Sequence, residues 1–396
     1  MNKRKATGIF MSLLLSTGLI AGCSSGDKAS NSSSDGKDSG GTIKVGANLE
    51  LSGGVASYGQ SIEEGLDLAI DEINKEGVNG KQLKIVKVDN KSDAAEATSG
   101  AIKLATQDKV VAIIGAATST NTLAQVQVAD ENKIPLITPT GTNPTVTFDK
   151  GKINKYVFRT CFIDPFQGTV AANFATDELK VKSAAILIDN SSDYAKGLAD
   201  AFKASFKKNG GKIVGEEAYV AKDTDFRATL TRIKSKNPEF VFVPGYYEEV
   251  GLILKQAREI GINVPFMGGD GWDSPKLIEI GGTAATNNTY ITNHYSSGDP
   301  DAKIQEFVKA FKAKYDGKSP DAFNALGYDT AYFLADAIKR AGSEDPAKIQ
   351  KALEETKGLA LVSGKMTLDN KHNPVKSAAI LSYENGEQKF KVKVNP

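Results

Sequence analysis

Histidine is nearly missing from these 396 residues: His294 and His372 are the only two, far apart in sequence and away from any Cys, Asp or Glu cluster at metal-ligand spacing. That scarcity argues against a zinc or di-metal centre and, with it, against an enzyme. A Gly-x-Ser-x-Gly elbow is missing as well, and so are a Walker loop and a dinucleotide fingerprint, so no cofactor is expected. An excess of either charge is also lacking: 49 Lys and Arg stand against 48 Asp and Glu. Without a basic stripe, nucleic acid and acidic polymers are poor partners.

Cysteine occurs only twice. Cys23 ends an N-terminal segment in which Lys3, Arg4 and Lys5 precede an apolar run from Ile9 to Ile20. Residues 1–22 therefore read as a secretory signal, too short and wrongly flanked to span a membrane. The ending Leu19-Ile20-Ala21-Gly22-Cys23 resembles the lipobox of bacterial lipoproteins, which implies lipidation of Cys23, a membrane anchor of two acyl chains and an extracytoplasmic location. Cys161 then has no partner for an intramolecular disulfide and reads as a buried structural thiol. From Ser24 to Gly41 the chain holds only Ser, Gly, Asp, Lys, Asn and Ala, a flexible tether reaching a couple of nanometres at roughly 5–6 Å times the square root of residue number.

The remaining roughly 355 residues exceed what one core usually organises, so two domains are expected. Short apolar runs alternate with helical patterns: strands are predicted at Ile43–Leu49, Leu83–Val88, Val110–Ile114 and Pro135–Ile137, with helices at Ser61–Lys75, Ala94–Gln107 and Thr122–Asn132. After an irregular stretch from Pro139 to Lys155 the same grammar resumes, with strands at Ala184–Ile188, Ile213–Tyr219, Phe240–Val243 and Phe266–Gly268 among helices. Three further helical patterns and a strand-rich ending follow. The fold class is α/β, two doubly wound units, each a largely parallel sheet covered on both faces.

In open parallel sheets ligands bind beyond the carboxyl ends of strands. Three post-strand segments fit. In Gly115-Ala116-Ala117-Thr118-Ser119, a hydroxyl-rich turn opens a helix whose unpaired N–H groups suit a carboxylate; the same hydroxyls also make ordinary helix caps. In Thr138-Pro139-Thr140-Gly141-Thr142, Thr140 and Thr142 offer hydroxyl and backbone groups, or form a plain turn. In Gly268-Gly269-Asp270-Gly271, glycines leave Asp270 projecting towards an ammonium or simply towards solvent. Tyr58, Tyr194 and Tyr246 also follow predicted strands, and aromatics there suit a small amphipathic ligand.

Leu51-Ser52-Gly53-Gly54-Val55-Ala56-Ser57-Tyr58-Gly59, Ala69-Ile70-Asp71-Glu72-Ile73-Asn74, Ile137-Thr138-Pro139, Asp193-Tyr194-Ala195-Lys196-Gly197, Val243-Pro244-Gly245-Tyr246-Tyr247 and Gly268-Gly269-Asp270-Gly271 together resemble the leucine/isoleucine/valine-binding proteins of ABC importers. The resemblance implies a type I periplasmic-binding-protein fold with two lobes joined by a three-strand hinge, approximately 42–161 plus 294–365 and 162–293 plus 366–396. It also implies a monomer that delivers a branched-chain amino acid to permease subunits. Ser119 and Thr142 would hold the ligand carboxylate; Thr140, Thr142 and Asp270 would hold its ammonium. Tyr58, Tyr194 and Tyr246 would close over it, with Ala117, Thr118 and Phe323 at the side-chain end. Two departures from that family stand out: Asp270 where Glu is usual, and Asn90 and Thr118 near the places of a first-lobe disulfide. The alternatives are the same fold with another amino acid, an amide or a short peptide, or a surface sensor.

Overall fold

The computed structural model of the protein describes residues 41–395. The expected signal, Cys23 and nearly all of the tether lie outside the described residues. The first part of the chain runs β1 (Thr42–Leu49), α1 (Ala56–Ile73), β2 (Gln82–Asp89), α2 (Ala94–Lys103), β3 (Ile113–Gly115), α3 (Ser119–Asn132), β4 (Leu136–Thr138), a small hairpin of β5 (Phe148–Asp149) and β6 (Lys152–Ile153), and β7 (Val157–Arg159). Strands β2-β1-β3-β4-β7 form one wholly parallel sheet, with Val45 of β1 facing Ile85 of β2 and Gly46 facing Ile113 of β3. β7 is absent from the sequence reading, because a charged residue, Arg159, closes its short apolar pair Val157-Phe158.

The chain continues through α4 (Asp164–Asn173), β8 (Ser183–Asp189), α5 (Asp193–Lys208), β9 (Lys212–Tyr219), α6 (Arg227–Ser235), β10 (Phe240–Phe242), α7 (Tyr247–Glu259), β11 (Phe266–Gly268), α8 (Pro275–Gly281), α9 (Thr283–Thr286) and β12 (Thr289–Asn293). Next come α10 (Ala302–Lys314), α11 (Ala322–Ala341), α12 (Pro346–Glu354), a hairpin of β13 (Leu359–Leu361) and β14 (Gly364–Met366), and finally β15 (Ala378–Glu384) and β16 (Glu387–Val394). The second sheet has the order β16-β15-β12-β11-β10-β8-β9. It is parallel from β9 to β12, while β15 and β16 add antiparallel strands at one edge. The sequence reading also lacks β12, along with the short β5, β6 and β13; the polar Thr and Asn residues of β12 hide it, although the strand is almost wholly buried.

The late helix α11 packs on the early helix α1. Both contribute to the core cluster that holds Val45 and Ala47 of β1, with Ile62, Leu66 and Ala69 on one helix and Phe323, Leu334 and Ile338 on the other. The axes approach closely because glycines meet: a methyl group on Gly65 would lie 2.0 Å from the Asn324 carbonyl oxygen, and one on Gly327 would lie 2.4 Å from that of Ile62. Asp321 closes the start of α11 with a capping box to Asn324, whose amide also donates to the Ser61 carbonyl at 2.7 Å. The chain therefore passes between the two sheets three times, after β7, after β12 and before β15.

Candidate functional site

Each sheet begins in its interior: β1 has β2 on one side and β3 on the other, and β8 is likewise flanked by β9 and β10. Those reversals of strand order leave a crevice at the carboxyl ends of β1 and β3 and another at the ends of β8 and β10. Glu50 to Tyr58 and Ala116 to Ser119 leave the first crevice. Asn190 to Tyr194, Val243 to Tyr247 and Gly269 to Trp272 leave the second sheet. The two groups of loops meet. Tyr58 donates its hydroxyl proton to the Gly271 carbonyl, Ser57 and Ser274 hydroxyls lie 2.8 Å apart, and Asn143 donates to the Asp193 carbonyl at 2.7 Å.

The loop after β3 is held from beneath by a residue the sequence reading passes over. Glu50, fully buried directly after β1, accepts hydrogen bonds from the Ala117 amide at 2.8 Å, the Thr118 amide at 3.0 Å, the Thr118 hydroxyl at 2.9 Å and Asn121 Nδ2 at 2.9 Å. These bonds pair the amides of Ala117 and of the N-cap Thr118, just ahead of the helix start at Ser119. The Ala117 and Thr118 amides already face an internal carboxylate, and Thr118 caps the Asn121 amide. The Ser119 hydroxyl accepts from the Asn143 amide at 3.1 Å and keeps its own proton to donate.

The loop after β4 is tied down twice. The Thr140 hydroxyl donates to the Ala117 carbonyl at 2.6 Å, so its side chain serves the loop itself. The guanidinium of Arg159, completely buried on β7, donates to the carbonyls of Gly141 at 2.6 Å and Asn143 at 2.8 Å. Arg159 was invisible to a search among post-strand turns because it lies on a strand the sequence reading lacks. The Thr142 hydroxyl is buried and has no hydrogen-bond partner among the described residues.

Asp270 is 3% exposed and opens a single turn of 3-10 helix after β11. Its amide donates to Gln167 Oε1 at 2.8 Å and its Oδ2 meets Nε2 of His294 at 2.9 Å, whereas its Oδ1 has no partner. His294, to which the sequence assigns no role, thus touches the acidic residue of the site. The aromatic walls pack on one another: Tyr58 stacks on Phe323 with ring centroids 4.2 Å apart, and Tyr194 stacks on Tyr246 at 5.3 Å. Tyr246 meets Tyr58 edge-on at 5.7 Å. Burial pushes the phenols of Tyr58, Tyr194 and Tyr246 well above their usual range, so all three stay neutral donors.

A nearly closed cavity with about 10 Å³ of free space lies between these groups, lined by Tyr58, Ala117, Thr118, Ser119, Thr140, Tyr194, Tyr246, Asp270, Gly271 and Phe323. Of the candidate residues named from sequence, only Thr142 is missing from that lining. Among the described residues no group of three His, Cys, Asp or Glu is placed to hold a metal ion, and no helix is long and apolar enough to cross a membrane.

Comparison with known proteins places this geometry. Residues 42–388 match the family model described as periplasmic binding protein. The chain is 34% identical over 334 residues to Leu/Ile/Val-binding protein homolog 1 of Brucella abortus, spanning 84% of this chain and 87% of the relative. A solved leucine-binding protein LivK from Thermotoga maritima superposes with a TM-score of 0.85 at 38% identity, covering 89% of this chain and 99% of that one. The branched-chain amino acid transporter substrate-binding protein LivJ from Streptococcus pneumoniae, solved with isoleucine, gives 0.84 at 40% identity, covering 90% and 100%. With a family match from β1 into β16 and relatives above 30% identity over most of its length, the chain belongs to the periplasmic binding protein family and has its type 1 fold.

Proposed function

We propose that the chain captures a branched-chain amino acid outside the cytoplasm and hands it to the permease of an ABC importer. The observation that carries the reading is the unpartnered Oδ1 of Asp270 in a cavity otherwise walled by aromatic and small residues. A buried carboxylate oxygen without a donor is costly unless a cation completes it. The α-ammonium of an amino acid supplies that charge together with the donors. The Ser119 hydroxyl and the Thr142 hydroxyl and backbone then serve the carboxylate, with the Thr140 carbonyl beside the ammonium. Ala117, Thr118, Tyr58 and Phe323 take an aliphatic side chain, and Tyr194 and Tyr246 complete the lid.

The names of the relatives point the same way. Lobes approximating 42–161 plus 294–365 and 162–293 plus 366–396 would open and close by bending at the three crossings, as binding proteins of this kind do. A lipid on Cys23 would keep the monomeric protein beside its permease.

Calorimetry on ligand-stripped protein tests the reading. Leucine, isoleucine and valine should bind within about 1–3 kcal/mol of one another, because a methylene in an apolar pocket discriminates no better than that. Aspartate, glutamate, lysine and arginine should be silent. Tight binding of a charged amino acid with the three aliphatic ones silent would refute it.

A further inference from the structure

His294 stands on the segment that leaves the second sheet after β12, and its ring is buried. Besides Asp270, two contacts hold the residue. Phe162, on the first crossing, stacks on the imidazole with centroids 3.6 Å apart. The His294 amide donates to Asn293 Oδ1 at 2.8 Å, and Asn293 Nδ2 donates to Asp273 Oδ2 at 2.8 Å. That same Asp273 oxygen accepts the Ala322 amide at the start of α11, at 2.9 Å. A continuous set of hydrogen bonds thus runs from α11 through Asp273, Asn293 and His294 to Asp270.

We infer that His294 is the positioning residue of the ligand site: its Nε2–H occupies Oδ2 of Asp270 and so turns the unpartnered Oδ1 towards the ligand ammonium. The inference rests on the binding function proposed above. Asp270 needs such a partner because the lone-pair positions of a buried carboxylate must be divided between protein and ligand. The other groups that fix this turn, Gln167 on the Asp270 amide and Tyr194 and Tyr58 on the Gly271 amide and carbonyl, hold backbone and not the carboxylate. A donor on Oδ2 selects one rotamer and leaves one oxygen for the ligand. Nδ1 of His294 is buried without a partner, which agrees with a neutral ring whose proton is on Nε2. Burial favours the neutral ring in the same sense, against the opposing pull of Asp270 and Asp273 and with the help of nearby Lys376.

Two measurements test this. The first is a double-mutant cycle read by calorimetry with leucine, isoleucine and valine. His294→Leu should weaken binding tenfold or more in the wild-type background, and His294→Gln, which keeps a donor, should recover a substantial part of the loss. In the Asp270→Ala background His294→Leu should cost less than twofold, because its only route to the ligand is gone. Equal losses in both backgrounds would overturn the inference. The second uses wild-type protein and needs no variant to fold: with only two histidines in the chain, ¹⁵N-histidine NMR separates His294 from His372. A neutral Nε2–H ring that shifts on leucine addition is expected. A charged ring or the Nδ1–H tautomer at pH 7 would refute the assignment. If wild-type protein binds none of the three amino acids, the proposed function falls, and the inference falls with it. If wild type binds them and the cycle shows no coupling, only the role of His294 falls.

Discussion

Replacing Glu50 by Gln changes one atom and should cost more than many core truncations. Oε1 of Glu50 accepts three of its hydrogen bonds and Oε2 accepts one, from the Ala117 amide at 2.8 Å. The least damaging amide orientation keeps the three and turns an N–H donor against the Ala117 N–H. One bond to a charged acceptor is lost, at about 1.5–3 kcal/mol, and three drop to neutral strength. Together about 3–5 kcal/mol of folded-state stability should go. For a body of this size that is a fall in Tm of about 4–7 °C. Because the same bonds hold Ala117 and Thr118 against the cavity, leucine affinity should also fall by about tenfold as binding takes on the ordering of the loop. Thermal unfolding without ligand and calorimetry with it measure the two effects, with exposed Glu306→Gln as the control. A Glu50→Gln protein within 1 °C of wild type at wild-type affinity would refute the claim that this buried carboxylate organises the loop.

Four further outcomes are expected. Asp270→Ala should weaken binding a hundredfold or more, the equivalent of about 3–5 kcal/mol for a desolvated charge left alone, with the unliganded fold intact; an affinity within threefold of wild type would remove Asp270 from the site. Gly327→Ala, although alanine is the better helix former by about 1 kcal/mol, should lower Tm, because its methyl group would meet the Ile62 carbonyl oxygen at 2.4 Å; an unchanged or higher Tm would show that α1 and α11 can part freely. Burial pushes the Asp164 carboxyl up from 3.8 to about 8, so the folded chain keeps a proton that the unfolded chain releases between about pH 4 and 8. Its share of stability is complete at pH 4 and lost as pH rises through that window, so Asp164→Asn should gain on wild type by up to about 5 kcal/mol at pH 8 and by little at pH 4; parallel urea-denaturation profiles would contradict the sign. Cys23→Ser should abolish fatty-acid labelling and release the protein into the medium, and a labelled variant would end the anchor reading.

The residues of the cavity wall were legible from sequence because they obey one rule, that function follows directly after strands in a doubly wound sheet. Thr118, Ser119, Thr140, Tyr194, Tyr246 and Asp270 sit in turns or first helical turns after strands whose apolar runs were plain to read, whereas Phe323, on α11, follows no strand and came only from the family resemblance. The supporting residues were illegible for three different reasons. Arg159 and His294 lie on or beside β7 and β12, one interrupted by a charge and the other too polar to register as strands. Glu50 does follow a clear strand, but a lone carboxylate in a turn carries no signal that it will turn inward and collect four donors from a loop over sixty residues away. Helix starts were placed late for a related reason. α1 begins at Ala56, five residues ahead of the predicted Ser61, because its first turn, Ala56-Ser57-Tyr58-Gly59-Gln60, lacks the helical apolar spacing and is ordered by contacts with the second sheet's loops.

The packing of α11 on α1 also sets an order of events during biosynthesis. Ile73 ends the first helix and Ala322 begins the second, so at about 5–20 residues per second the ribosome delivers the covering helix roughly 12–50 s after the helix it covers. In that interval Ile62, Leu66 and Ala69 lack the cover that α11 will supply, and no contiguous N-terminal fragment can finish its own core. A nascent chain cut anywhere before α11 should therefore be sticky and protease-sensitive, whereas one cut after it should already hold a protected first sheet.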